Sequence, residues 1–226
     1  MMLKVYREHR FLILLVSFIL YWTIAPLLDS TLKLRIASDI LFSLILLSAI
    51  HAAGSSIIHT LIAVALAIPV YYGVWEKYVD PLPDTTIFGL IFSALFTGYV
   101  MILFLQAIFR SPEVDLEVVS GAAVVYLFLG LLWGDLYFIL EHASPNSFEF
   151  AHEVDIHDYH LFNYFSFVTL STLGYGEITP ITRPAKSLAS MEALVGQLYI
   201  AVLIARLVSV YSSQRTRRSG FPENRE

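Results

Sequence analysis

Six long apolar stretches, separated by short polar segments, set the pattern of this chain. They cover residues 11–28, 36–53, 55–75, 87–109, 118–140 and 184–211. A helix needs roughly 20 apolar residues to cross the hydrocarbon core of a bilayer, which is about 30 Å thick. The pattern therefore predicts an all-α membrane protein with six transmembrane helices.

A further apolar segment, residues 161–170, is too short to cross the bilayer and lies between the fifth and sixth stretches. We expect a re-entrant helix here, because irregular backbone at membrane depth is tolerated only where it is buried in protein or lines water. Its aromatic residues are expected to wedge the following loop against neighbouring helices, with an interfacial aromatic belt as the alternative. These residues are Phe162, Tyr164, Phe165 and Phe167.

The loop after this segment has the pattern of a potassium selectivity filter, formed by Thr172, Leu173, Gly174, Tyr175 and Gly176. A potassium ion gives up its water only where rings of oxygen atoms replace it, and successive backbone carbonyls supply such rings. For the carbonyls to face one axis, neighbouring residues must alternate in handedness, and glycine reaches positive φ without a Cβ penalty. The motif predicts K⁺ coordination by the carbonyls of residues 172–175, with K⁺ as the permeant ion and no cofactor.

Composition agrees with a chain whose solvent is mostly lipid. Of 226 residues, 57% are hydrophobic and 15% charged, which leaves little length for a soluble domain. The absence of cysteine excludes disulfides and thiolate metal sites. We find no catalytic constellation and no phosphate-binding glycine loop, so we expect neither an enzyme nor a nucleic-acid partner.

The distribution of lysine and arginine predicts the orientation. With both termini inside, the inner face carries Lys4, Arg7, Arg10, Arg110, Arg215, Arg217, Arg218 and Arg225, and the outer face carries Lys33, Arg35, Lys77, Arg183 and Lys186. Because basic residues favour the cytoplasmic side, both termini are expected there. No convincing cleavage site follows the first apolar stretch, so we interpret it as an uncleaved span of a multi-pass protein.

Residues 164–180, with the sequence YFSFVTLSTLGYGEITP, resemble the pore loop of tetrameric potassium channels, especially bacterial six-transmembrane members of the ion-channel family. The resemblance extends through the sixth stretch. It implies a pore helix and filter loop between spans five and six. Because each chain holds one filter and the ring needs four, it also implies a homotetramer, in the plasma membrane, with the inner membrane of a prokaryote expected.

Two positions depart from the family pattern. Leu173 stands where a valine is usual, and Glu177, at the outer mouth, stands where an aspartate is usual. Some relatives carry a buried glutamate behind the filter at the position of Val168, so that hydrogen-bonding route is absent here and filter inactivation is expected to differ.

The sixth stretch contains the gating candidates. Gly196 lies where the family's inner helix commonly has a hinge glycine, with close helix packing as the alternative. Cavity-lining candidates recur at helical spacing: they are Gln197, Ile200, Ile204 and Val208. Ordinary packing is the alternative for these four.

Three charged residues are expected to tie the fifth and sixth spans together. Arg206 lies two residues after Ile204 and so should face away from the pore, with Asp115 and Glu117 as ion-pair partners. Simple snorkelling of Arg206 to the headgroups is the alternative. Within the fifth span, Asp135 is expected either to bond to a pore-helix hydroxyl or to reach water.

The chain divides into a four-helix scaffold at residues 1–112, a pore domain at 113–213 and a short cytoplasmic tail at 214–226. The scaffold resembles a voltage-sensor domain without its arginines, since residues 87–109 contain no lysine or arginine. Steep voltage gating is therefore not expected. Membrane lipids or an unidentified modulator are the expected scaffold partners.

The outer loop carries His142, His152, His157 and His160 among acidic residues. Mild-acid sensing, divalent-metal binding and a solvated loop all remain open for it.

Together these observations predict a passive potassium-selective channel. A silent modulatory subunit, a potassium transporter and a less selective cation channel are the alternatives.

Overall fold

A computed structural model describes residues 9–25, 32–53, 56–76, 78, 85–151 and 159–219. In these residues the chain is mostly helical, with two short strands that pair with each other. In chain order the elements are α1 (Arg10–Ile24), α2 (Leu32–Ala53), α3 (Ile57–Glu76), α4 (Thr85–Arg110), α5 (Leu116–Ala143), β1 (Phe148–Phe150), α6 (Tyr159–Leu170), β2 (Ile178–Pro180) and α7 (Arg183–Ser219).

Five of the described helices, α2 to α5 and α7, are long and apolar enough to cross a membrane. The chain is therefore a multi-pass membrane protein. Helix α1 has only 15 residues, which is about 22 Å of rise and less than the hydrocarbon thickness. Residues 26–28 of the predicted first span lie outside the described residues, and the six-span count is not confirmed.

Helix α5 is the central element of the fold. Helices α1, α4, α6 and α7 all pack against it. A continuous cluster of buried apolar side chains includes residues from each of the helices α1, α2, α3, α4 and α5. Within it, the ring of Phe11 lies edge-on to that of Phe104, at 4.9 Å between centroids, and Phe18 lies beside Phe128. The position of α6 is therefore set by a helix that is itself packed on both α1 and α4.

The start of α1 is fixed by an acidic side chain from α5. The backbone N–H groups of Phe11 and Leu12 donate to the Glu117 carboxylate at 3.0 and 3.3 Å. The first N–H groups of a helix have no partner within the helix, and a carboxylate there also meets the positive end of the helix dipole. Glu117 therefore holds α1 against α5.

A two-stranded antiparallel sheet brackets α6 and the loop that follows it. Strand β1 pairs with β2 in the register Phe148 to Pro180 and Phe150 to Ile178. The N–H of Ile181 also donates to the carbonyl of Ser147 at 2.9 Å. This sheet is a departure from the predicted all-α fold, because strands of three residues give no alternating pattern long enough to recognise.

The sheet is anchored to α5 by Glu141, one of the acidic residues that accompany the outer-loop histidines. Glu141 is buried and accepts hydrogen bonds from the N–H groups of Asn146, Ser147 and Phe148 at 2.8, 2.8 and 3.2 Å. One carboxylate thus fixes the turn between α5 and β1.

Replacing this carboxylate should destabilise the protein. Glu141→Ala leaves three backbone donors without their acceptor, and we expect a loss of about 3 kcal/mol, or roughly 6 to 12 °C in thermal midpoint. The measurement is thermal unfolding of the purified protein in detergent. Glu149→Ala, on the exposed side of β1, is the control; equal midpoints for the two variants would contradict this role.

Candidate functional site

The residues after α6 turn sharply back from its C-terminal end. The carbonyl of Val168 accepts hydrogen bonds from the N–H groups of Leu173 and Gly174 at 2.9 and 3.3 Å. The N–H of Thr172 donates to the carbonyl of Thr169 at 2.9 Å. We call residues 171–177 the TLGYG loop. Its direction is therefore set by the last turn of α6.

Backbone handedness alternates along this loop. Positive φ occurs at Thr172 (59°), Gly174 (59°) and Gly176 (83°), and Leu173 and Tyr175 between them do not have it. Positive φ at the two glycines agrees with the requirement deduced from the motif. For Thr172 it is strained, because a β-branched side chain disfavours this conformation, and such strain persists where the surrounding structure holds it.

The TLGYG loop lies on the surface of the single chain. All seven of its residues are exposed, with Leu173 56% and Tyr175 63% accessible. At the C-terminal end of the loop, Glu177 accepts a hydrogen bond from the Tyr164 hydroxyl of α6 at 2.8 Å. This bond raises the pKa of the Tyr164 phenol above its ordinary value. The glutamate thus keeps a connection to α6.

Three glycines allow α5 and α7 to approach α6 closely. Gly130 and Gly134, one turn apart on α5, face Phe167 and Asn163, one turn apart on α6, and a Cβ at either glycine would overlap these residues. On α7, a Cβ at Gly196 would lie 2.7 Å from the Leu170 carbonyl oxygen. Small residues give close helix contact in membranes. The packing interpretation of Gly196 therefore has direct support.

The other aromatic residues of α6 form a cluster with α5 and β1. Phe162 and Phe165 are buried against Tyr137, Phe138 and Phe148, mostly edge to face at about 5 Å. Phe167 meets Trp22 of α1 edge-on, at 4.9 Å between ring centroids. Aromatic contacts thus hold α6 against three other elements.

The four cavity-lining candidates of α7 share one exposed stripe. Gln197, Ile200, Ile204 and Val208 are all exposed in the single chain. Helix α7 is continuous through Gly196 and extends to Ser219. The stripe is therefore available to line a space outside this chain.

The predicted ion pair of Arg206 with Asp115 or Glu117 is wrong. Arg206 instead donates to the carbonyl oxygens of Phe109 and Ser111, at 3.2 and 3.3 Å. Asp115 caps α5 by accepting from the N–H of Val118 at 2.9 Å, and Glu117 caps α1. The two carboxylates accept hydrogen bonds from N–H groups at helix N-termini, which have no partner within their own helix. The carbonyl groups at the C-terminal end of α4 instead attract the Arg206 guanidinium.

A buried acid that the sequence interpretation overlooked lies between α5, α6 and α7. Glu192 has no exposed surface and contacts the hydroxyl groups of Tyr137 and Ser166. The signal available in the sequence was a lone acid within the last apolar stretch. Asp135 of α5, the acid singled out in the fifth span, is also fully buried, so it does not reach water.

The outer-loop histidines are described only in part. His142 and His160 are exposed, and His152 and His157 lie outside the described residues. In the part of the chain that the structure describes, no group of three histidine or acidic side chains has metal-binding geometry.

Comparison with known proteins bears on this region of the chain. Residues 118–213 match the family model described as ion channel. The matched segment contains most of α5, all of α6, the TLGYG loop and α7 to residue 213, and helices α1 to α4 lie outside it. It supports ion transport across a membrane as the activity of this ion channel segment. No curated protein matched the chain.

The contact of Gly196 with α6 yields a prediction that separates packing from bending. Gly196→Ala must push α7 away from the Leu170 carbonyl, and we expect a loss of about 1 to 3 kcal/mol in stability. Gly98→Ala is the matched control, because a Cβ at Gly98 meets nothing within 4 Å. Thermal unfolding measures both. Wild-type stability of Gly196→Ala would contradict tight packing at this position.

Proposed function

We propose that the chain is the subunit of a potassium-selective channel that passes K⁺ passively through a homotetrameric pore, without catalysing a reaction. The supporting observation is the TLGYG loop, whose handedness alternates at Thr172, Gly174 and Gly176. Alternation of backbone handedness turns successive carbonyl groups toward the same side of the loop. Rings of such carbonyls replace the hydration shell of K⁺.

The exposure of the loop supports assembly of four copies. Irregular backbone at membrane depth is tolerated only inside protein or beside water, yet residues 171–177 are exposed in a single chain. Copies arranged around a common axis would enclose the loop and complete each carbonyl ring. The exposed stripe of α7 would then line the cavity below.

The C-terminal end of α6 supports a cation site in that cavity. A helix C-terminus carries about half a negative charge, and the TLGYG loop leaves α6 at this end. Glu177 adds a carboxylate at the outer mouth, bonded to Tyr164. Both features favour a cation over an anion.

Gating is proposed to occur within the ion channel segment rather than by steep voltage sensing. Residues 87–109 of α4 carry no lysine or arginine, and Arg110 follows at the end of the helix. Voltage sensing needs several charges, each contributing about 2.3 kcal/mol per 100 mV. We place the channel in the plasma membrane, with both termini in the cytoplasm. Within the membrane, helices α1 to α4 also contact lipids or a modulator.

Flux through the reconstituted protein tests potassium selectivity. Wild-type protein in liposomes should give a reversal potential that follows the potassium gradient and not the sodium gradient. Gly174→Ala should abolish flux, because its φ of 59° is strained for alanine. Gly98→Ala should keep flux, since both sites have room for a methyl group and only Gly174 has positive φ.

The outcomes of this experiment separate the alternatives. Equal potassium and sodium permeation would support a less selective cation channel. Flux that needs a second coupled ion would support a transporter. Silence of the pure protein, with a changed current when a partner channel is present, would support a modulatory subunit.

Assembly is tested independently of flux. We expect the purified protein to have four chains per particle by native mass spectrometry in detergent or nanodiscs. A homogeneous monomer or dimer that still conducts K⁺ would contradict the ring of four identical loops.

A further inference from the structure

A chain of buried hydrogen bonds joins α5, α6 and α7 behind the TLGYG loop. The hydroxyl of Tyr137 donates to one carboxyl oxygen of Glu192, and the other carboxyl oxygen meets the Ser166 hydroxyl. Ser166 Oγ also lies 2.7 Å from the carbonyl oxygen of Gly130. Glu192, Ser166 and Tyr137 are all fully buried.

Among the residues that the structure describes, no cation offsets a charge on Glu192. In the described part of the chain it pairs with no lysine, arginine or histidine, and its partners are the two hydroxyl groups. A carboxylate within a membrane span is costly unless it is paired. Two hydroxyl groups solvate such a charge poorly, so burial favours the neutral acid.

The number of hydrogen atoms available to these hydrogen bonds also indicates the protonated form of Glu192. Ser166 has one hydroxyl hydrogen but lies within hydrogen-bonding distance of two acceptors, the Gly130 carbonyl and Glu192. A carbonyl oxygen only accepts, so the serine hydrogen goes to Gly130. The contact between Ser166 and Glu192 then needs a hydrogen from the carboxyl group. Only a protonated Glu192 gives each of these contacts its own hydrogen.

Ser166 connects this chain of bonds to the TLGYG loop. It lies two residues before Val168, whose carbonyl accepts the N–H groups of Leu173 and Gly174. On α7, Glu192 lies one turn before Gly196, which packs against the Leu170 carbonyl. The acid therefore sits where α7 meets the last turns of α6.

We propose that Glu192 is a positioning residue for the TLGYG loop, acting as a neutral carboxylic acid that joins α7 to Tyr137 of α5 and Ser166 of α6. The effect of Glu192 on ion flux rests on the proposed potassium conduction. Loss of the proton would make Ser166 share one hydrogen between two acceptors and would place a bare charge among the three helices. The connection holds while Glu192 is protonated and weakens as the pH rises.

Substitutions in reconstituted protein test the connection. Glu192→Ala and Ser166→Ala should lower potassium flux by about tenfold, the size expected for one lost buried hydrogen bond, and should lower selectivity over sodium. Glu192→Gln should restore most of both, because an amide donates to Ser166 and accepts from Tyr137 without a charge. Glu113→Gln, exposed between α4 and α5, is the control.

A pH profile separates titration of Glu192 from a merely structural role. Wild-type flux should fall as the pH is raised, and Glu192→Gln should remove that fall. On α5, the phenols Tyr137 and Tyr126 interact with Glu192 and Asp135 is a further buried acid; α6 contributes Ser166, which does not titrate. A fall that persists in Glu192→Gln would belong to another titrating group and would overturn the assignment.

Infrared spectroscopy tests the protonation state without any flux. The carbonyl stretching band of a protonated carboxylic acid should lose intensity in Glu192→Gln and keep it in Glu113→Gln. No loss, or Glu192→Gln as defective in flux as Glu192→Ala, would overturn the neutral acid. Wild-type activity of both alanine variants would overturn the positioning role. Absence of flux in the wild type, with the infrared result as expected, would count against the proposed function alone.

Discussion

Carbonyl groups that are to hold an ion must stay free of protein hydrogen bonds, and a membrane tolerates free carbonyls only where protein or water surrounds them. In the proposed channel, the structure around the TLGYG loop meets this constraint. The short helix α6 would bring the chain to membrane depth, and the TLGYG loop would return it. The glycines at 130, 134 and 196 let α5 and α7 come close enough to enclose that helix. Strands β1 and β2 pair with each other on either side of α6 and this loop in the chain.

The first four helices are physically continuous with this arrangement. Their buried apolar side chains form one cluster with those of α5, and Trp22 of α1 reaches Phe167 of α6 itself. The carboxylate of Glu117 on α5 holds the first turn of α1. A ligand or lipid that moved α1 would therefore act on the same side of α6 that Gly130 contacts.

Local features of this fold could be predicted from the sequence, whereas features that depend on distant partners could not. Lengths of apolar stretches give the long helices, and the two glycines of the motif give their own positive φ. Glu192 is different, because its partners Tyr137 and Ser166 lie 55 and 26 residues away in the chain. Arg206 is harder still, since backbone carbonyls accept its hydrogen bonds and any residue type supplies a carbonyl. Charge alone therefore suggested the wrong partners for it.

Helix α7 contacts the end of α6 through Gly196 and the end of α4 through Arg206. Ten residues separate them, which is about 15 Å along a helix. A guanidinium keeps its charge at any physiological pH, and a carbonyl does not titrate. The Arg206 contact is therefore a mechanical link of constant strength, in contrast to a link that depends on a proton. The Tyr199 hydroxyl holds α7 to the Ala122 carbonyl of α5 at 2.6 Å. A displacement of the C-terminal end of α4 would pull the Arg206 end of α7 directly, and the helix would bend between Tyr199 and Arg206, where Ile200 and Ile204 lie.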